Sequence, residues 1–102
     1  MRIIKPATIR QFISNYPDAQ ASLEHWLEVV RHAEWSGIHD LRESLRSADP
    51  VSITDDKTVT VFNISGNKYR LITSIYYNTH RVYILLFMTH AEYSRDRRKG
   101  LL

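Results

Sequence analysis

The segment Thr89-His90-Ala91-Glu92-Tyr93 puts an imidazole and a phenol at i and i+3 near the end of the chain. On a helix, that spacing places them on neighbouring parts of one face. Upstream, Lys68 and Arg70 alternate with Tyr69 and Leu71, so in a strand the two cations share one side. Imidazole and phenol groups move protons. Arg binds phosphate through paired N–H groups, and Lys acts on it as a point charge. Together these groups match what is needed to cut a ribose phosphodiester without a metal. A 2′-OH attacks its own adjacent phosphate. The site must accept the 2′-OH proton, supply a proton to the departing 5′-oxygen and stabilise the charge on the pentacoordinate phosphorane. The same residues also have plainer readings. Lys68 and Arg70 suit the polar side of a half-buried sheet, and a His near a Tyr suits a packing pair. Thr89-x-x-Glu92 has capping-box spacing, which gives Glu92 a structural task at the N-terminus of a terminal helical turn.

The elements that must position these groups are legible in the hydrophobic period. Residues Met1 to Ile4 read as a short strand, and Pro6 suits the first turn of a helix. Ile9, Phe12, Ile13 and Tyr16 recur at i, i+3, i+4 and i+7, one apolar stripe. Pro17 stops that helix and opens the next, with Asp18 favourable near its N-terminus. Leu23, Trp26, Leu27 and Val30 line the second helix, and Gly37 reads as its terminator. Leu41 and Leu45 mark a short third helix, which Ser47-Ala48-Asp49-Pro50 breaks. The period then changes. Strands are predicted over Thr58–Ile64, Lys68–Tyr77 and Arg81–Met88, with turns at Ser65-Gly66-Asn67 and Asn78-Thr79-His80. The expected fold class is α+β: a small antiparallel sheet with N-terminal helices packed on one face. Tyr69, Leu71, Thr73 and Ile75 are assigned to the helix side, and Arg70 and Lys68 to the open side.

Composition narrows the function. The chain has 102 residues with a net charge of +3, 43% hydrophobic and 25% charged residues, as expected of one ordinary globular domain. The absence of cysteine excludes a disulfide framework and thiolate chemistry. His25, His32, His39 and His80 make no metal-ligating spacing, and no metal or other cofactor is expected. No apolar run approaches the roughly 20 residues of a membrane helix, and the N-terminus has no secretory h-region, so a cytoplasmic protein is expected. The charge is unevenly placed. Residues 1–66 hold 7 Lys/Arg and 9 Asp/Glu, whereas residues 67–102 hold 7 Lys/Arg and 2 Asp/Glu. A localised positive field of this kind attracts phosphate backbones. The domain is expected over 1–94, with a basic tail over 95–102 whose Arg95, Arg97, Arg98 and Lys99 are candidates for RNA phosphates, or for a frayed, solvated end.

The run Val61-Phe62-Asn63-Ile64-x-Gly66-Asn67-Lys68-Tyr69-Arg70-Leu71-Ile72, then Val82-Tyr83-Ile84 and Thr89-His90-Ala91-Glu92-Tyr93, resembles the HigB family of type II toxins. That family lies within the RelE-like group of bacterial RNA-cleaving toxins. Tyr16-Pro17-Asp18-Ala19, Trp26, Ala33-Glu34-Trp35 and Ser47-Ala48-Asp49 fit it too, so the resemblance spans residues 1–94. It implies a RelE-like fold and a ribosome-dependent, metal-independent mRNA endonuclease. It also implies a HigA-like helix-turn-helix antitoxin that neutralises the toxin and represses the shared operon. Carried over residue by residue, it implies catalytic roles for Arg70, His90, Tyr93 and Lys68, with Asn67 shaping the turn beside them. There are two departures. Leu85 stands where the family often has a basic residue, and Ser94 where it often has Asp. Losing a cation weakens phosphate stabilisation, and Arg81 or the basic tail are the candidates to replace it. The departures motivate an alternative: a non-catalytic module that keeps the fold and binds RNA, the ribosome or only the antitoxin.

Overall fold

Ile9, Phe12 and Ile13 turn inward on α1 (Ala7–Asn15), as their spacing requires, and Tyr16, the residue that caps its C-terminus, packs against the same core. The computed structural model describes residues 1–98, with side chains through Arg95. A short β1 (Arg2–Ile4) precedes α1, and a single 3-10 turn (Pro17–Ala19) joins α1 to α2 (Gln20–His32). Leu23, Trp26 and Val30 are the buried stripe of α2. A third helix, α3 (Ile38–Ser44), buries Leu41. Gly37 does not end α2, which stops at His32. It stands in extended backbone immediately before α3.

The second half of the chain forms β2 (Asp49–Thr54), β3 (Lys57–Ile64), β4 (Tyr69–Tyr76) and β5 (Arg81–Thr89), followed by α4 (His90–Arg98). The sheet has five strands in the order β1-β5-β4-β3-β2. The expected β3-β4-β5 meander is present, and two strands extend it. β1 pairs parallel to β5, so the sheet is mixed rather than wholly antiparallel. Asp49-Pro50, read above as a breaker, begins β2. Proline is tolerated there because β2 is the sheet's outer edge. The β3–β4 turn passes through two left-handed residues, Ser65 (φ 55°) and Gly66 (φ 69°), the second of which glycine adopts at no steric cost.

Alternation along the strands separates two cores. On one face Phe62, Ile64, Tyr69, Leu71 and Val82 pack beneath α1 and α2 with Leu23, Trp26 and Val30. Aromatic contacts tie this layer together. Phe87 stacks on Phe12 at 5.2 Å between ring centroids, and Trp26 meets Phe62 edge-on at 5.5 Å. Such pairs are worth about 0.5–1.5 kcal/mol each beyond the area they bury. On the opposite face Val51, Val59, Val61, Ile72 and Met88 form a second cluster, and Tyr93 of α4 packs onto it. That face is therefore not open throughout, because the terminal helix folds back across it.

Candidate functional site

β4 points Arg70 to the face opposite α1 and α2, between its sheet partners Asn63 and Met88. Its side is the expected one, but its environment is not. Arg70 is 8% exposed, because Tyr93 comes down over it with the guanidinium carbon 5.9 Å from the ring centroid. A buried cation requires compensation. Here Nη1 donates to the carbonyls of Asn67 (3.2 Å) and Tyr69 (3.1 Å), and Nη2 donates to Oδ1 of Asn67 (2.6 Å). Asn67 of the β3–β4 turn and Tyr69 at the start of β4 thus supply the acceptors around the side chain that follows them. These bonds use three of the guanidinium's five N–H donors.

His90 is brought alongside by the backbone. β4 and β5 pair as far as Tyr69↔Thr89, and one more bond, from the His90 N–H to the Lys68 carbonyl at 3.0 Å, carries the pairing onto the first residue of α4. The predicted capping box forms in both directions. Thr89 N–H donates to Glu92 Oε1 (3.1 Å), and Glu92 N–H donates to Thr89 Oγ1 (3.2 Å). The Thr89 bonds hold the Glu92 carboxyl below the usual carboxylate range, so its task is structural as expected. The exposed His90 ring meets Ser94 Oγ through Nδ1 at 3.3 Å, leaving Nε2 as its unpaired nitrogen among the described residues.

Lys68 is not beside Arg70. Its ammonium pairs with Asp18 on the turn before α2, on the helix side of the molecule. The other Asp18 oxygen accepts the Tyr69 hydroxyl at 2.7 Å. The hydrogen bonds from Lys68 and Tyr69 lower the Asp18 pKa. The same carboxylate raises the pKa values of Lys68 and Tyr69. Sequence reasoning gave Asp18 only a helix-start role. The pair joins residues separated by 50 positions, beyond any local pattern.

Residues 19–96 match the HigB_toxin family, described as the RelE-like toxic component of a toxin-antitoxin system. The chain belongs to the HigB toxin family. No curated protein matches it. As the toxic component of such a system, the toxin has an antitoxin as partner. Among the described residues, no helix is long and apolar enough to cross a membrane, and no three His, Asp or Glu side chains group as a metal site.

The toxin's remaining candidates are scattered. Arg81 begins β5 opposite Tyr76, at the far end of the strand from His90 and so about 25 Å away along it. Arg95 lies exposed on α4, and the backbone of Arg97 and Arg98 continues that helix. Lys99 lies outside the described residues. The two departures from the family pattern have distinct settings. Leu85 is the extra residue of a β-bulge, since Ile72 pairs with Leu86 and Thr73 with Ile84, and it is 42% exposed. Ser94 is the residue that touches His90.

Proposed function

We propose that the toxin is an endoribonuclease that cuts messenger RNA on the ribosome without a metal. The observation that supports this reading is that Asn67 and Tyr93 hold the Arg70 guanidinium while the backbone of His90, the first residue of α4, is tied to Lys68 two positions before Arg70. Arg70 binds the scissile phosphate through its remaining N–H donors and stabilises the charge of the phosphorane. His90 exchanges protons with the reacting oxygens through Nε2, because Nδ1 is held by Ser94. Tyr93 keeps the guanidinium in place from above. The 2′-oxygen forms a bond to phosphorus as it loses its proton. The bond from phosphorus to the 5′-oxygen breaks as that oxygen gains one. The products are a 2′,3′-cyclic phosphate and a 5′-hydroxyl. The proposed partner is a HigA-like helix-turn-helix antitoxin.

One observation favours a second reading. Arg70 is buried and already accepted by Asn67 and Tyr69, which suits a structural cation in a module that binds RNA or the antitoxin without cutting. Inducible expression separates the two readings. An endonuclease arrests growth, loses that effect with His90→Ala and is relieved by the helix-turn-helix protein of the adjacent gene. Arrest that survives His90→Ala supports occlusion by a non-cutting module instead.

A further inference from the structure

Lys68 is fixed at one end and loose at the other. Its carbonyl takes the His90 N–H at 3.0 Å, which pins its backbone at the start of α4. Its ammonium ends a flexible four-carbon stem and sits on Asp18, with 60% of the Lys68 side chain and 47% of the Asp18 side chain in solvent. A solvated pair of this kind is weak and yields to a competing anion. Asp18 does not depend on the pair, because the hydroxyl of Tyr69, a residue only 4% exposed, holds its second oxygen. A phosphate entering beside Arg70 and His90 would be a competing anion next to the anchored backbone of Lys68.

The geometry points to Asp18 as a latch that parks Lys68 away from the phosphate site in the free toxin and releases it to the RNA backbone on binding. Asp18 is thus a positioning residue that restrains RNA affinity without touching RNA. The inference rests on the RNA-cleaving reading above. It differs from a purely architectural role in sign. If Asp18 only braced the turn that carries Asn67 and Arg70, removing its charge would weaken RNA binding. A latch makes the same change strengthen it.

Ion release supplies a second signature. In the wild type, Lys68 exchanges one anion for another, so the cation freed from the phosphate is offset by one drawn to Asp18. With Asp18→Asn the contact frees a cation outright, and the salt dependence of binding steepens by about 0.7 in log–log slope for single-stranded RNA.

The test measures binding of a short RNA, made non-cleavable by 2′-O-methylation, to the full chain across a salt series. The proteins compared are wild type, Asp18→Asn, Lys68→Ala, the double variant and Arg70→Ala, and Asp18→Ser repeats the charge removal with a different side chain. The expected result is about 2- to 5-fold tighter binding by Asp18→Asn with the steeper slope, and no gain in the double variant over Lys68→Ala. Equal or weaker binding by both Asp18 variants overturns the latch. So does a gain that persists without Lys68, because it would come from net charge alone. Binding that needs Arg70 but ignores Asp18 removes the latch and leaves the proposed function standing. Binding of no short RNA by the wild type overturns the latch, which acts on intrinsic RNA affinity, and leaves cutting on the ribosome to its own cleavage test.

Discussion

The backbone N–H of His90 donates to the carbonyl of Lys68 at 3.0 Å, and this bond joins the two ends of the candidate site. On one side, Lys68 continues the turn whose Asn67 grips the Arg70 guanidinium. On the other, His90 opens the helix whose Tyr93 covers that guanidinium. Imidazole and guanidinium are therefore set by one closed loop of contacts through β4, the turn and α4.

Arg70 is a structural as well as a chemical residue on this account. Arg70→Ala leaves the Asn67 and Tyr69 carbonyls without their buried donor and removes the cation above Tyr93. A loss of about 1–3 kcal/mol is expected in urea unfolding. Arg70→Lys supplies a point charge that cannot reproduce the forked bonds, so it should not restore cleavage. Unchanged unfolding of Arg70→Ala would contradict the burial on which the site is built.

Leu85, the exposed bulge residue, stands where the sequence resemblance led to the expectation of a cation. Leu85→Lys buries nothing new, so stability should stay within about 0.5 kcal/mol of wild type by thermal unfolding. Affinity for RNA should rise and become more salt-sensitive. If affinity stays flat across the salt series, Leu85 does not lie along the RNA path.

The capping box gives a pH signature. The Thr89 bonds hold Glu92 below the ordinary carboxylate range, so its folded pKa lies under its unfolded one. Its contribution is complete above the unfolded value and fades as pH falls through the folded value. Glu92→Gln keeps the box without the charge. Wild type should be the more stable of the two at neutral pH, and the gap should begin to narrow as pH falls through the unfolded carboxyl value of about 4.3 and close in stronger acid. Thr89→Ala should cost about 1 kcal/mol at neutral pH. A wild-type advantage that persists in acid would contradict the assignment.

Much of this was legible because the signals were local. The stripe on α1, the Thr89–Glu92 box and the Ser65-Gly66 turn each lie within one or two helical turns or one hairpin. The side of the sheet that Arg70 occupies followed from strict alternation along β4. What could not be read depends on distant packing. The burial of Arg70 comes from α4 folding over its face. Lys68 is diverted by a carboxylate 50 positions away. β2 was hidden because proline argues against a strand unless the strand is known to be an edge. The bulge at Leu85 likewise arises from register between β4 and β5, which residue types alone do not specify.

Metal-independent cutting on the ribosome is tested by programming ribosomes with one messenger, adding purified toxin and mapping both the cut and the chemistry of its new ends. Cleavage should leave a 2′,3′-cyclic phosphate and a 5′-hydroxyl, and should be lost in Arg70→Ala and His90→Ala while both variants still bind the antitoxin. Equal cutting by either variant, or ends bearing a 5′-phosphate, would contradict the proposed function.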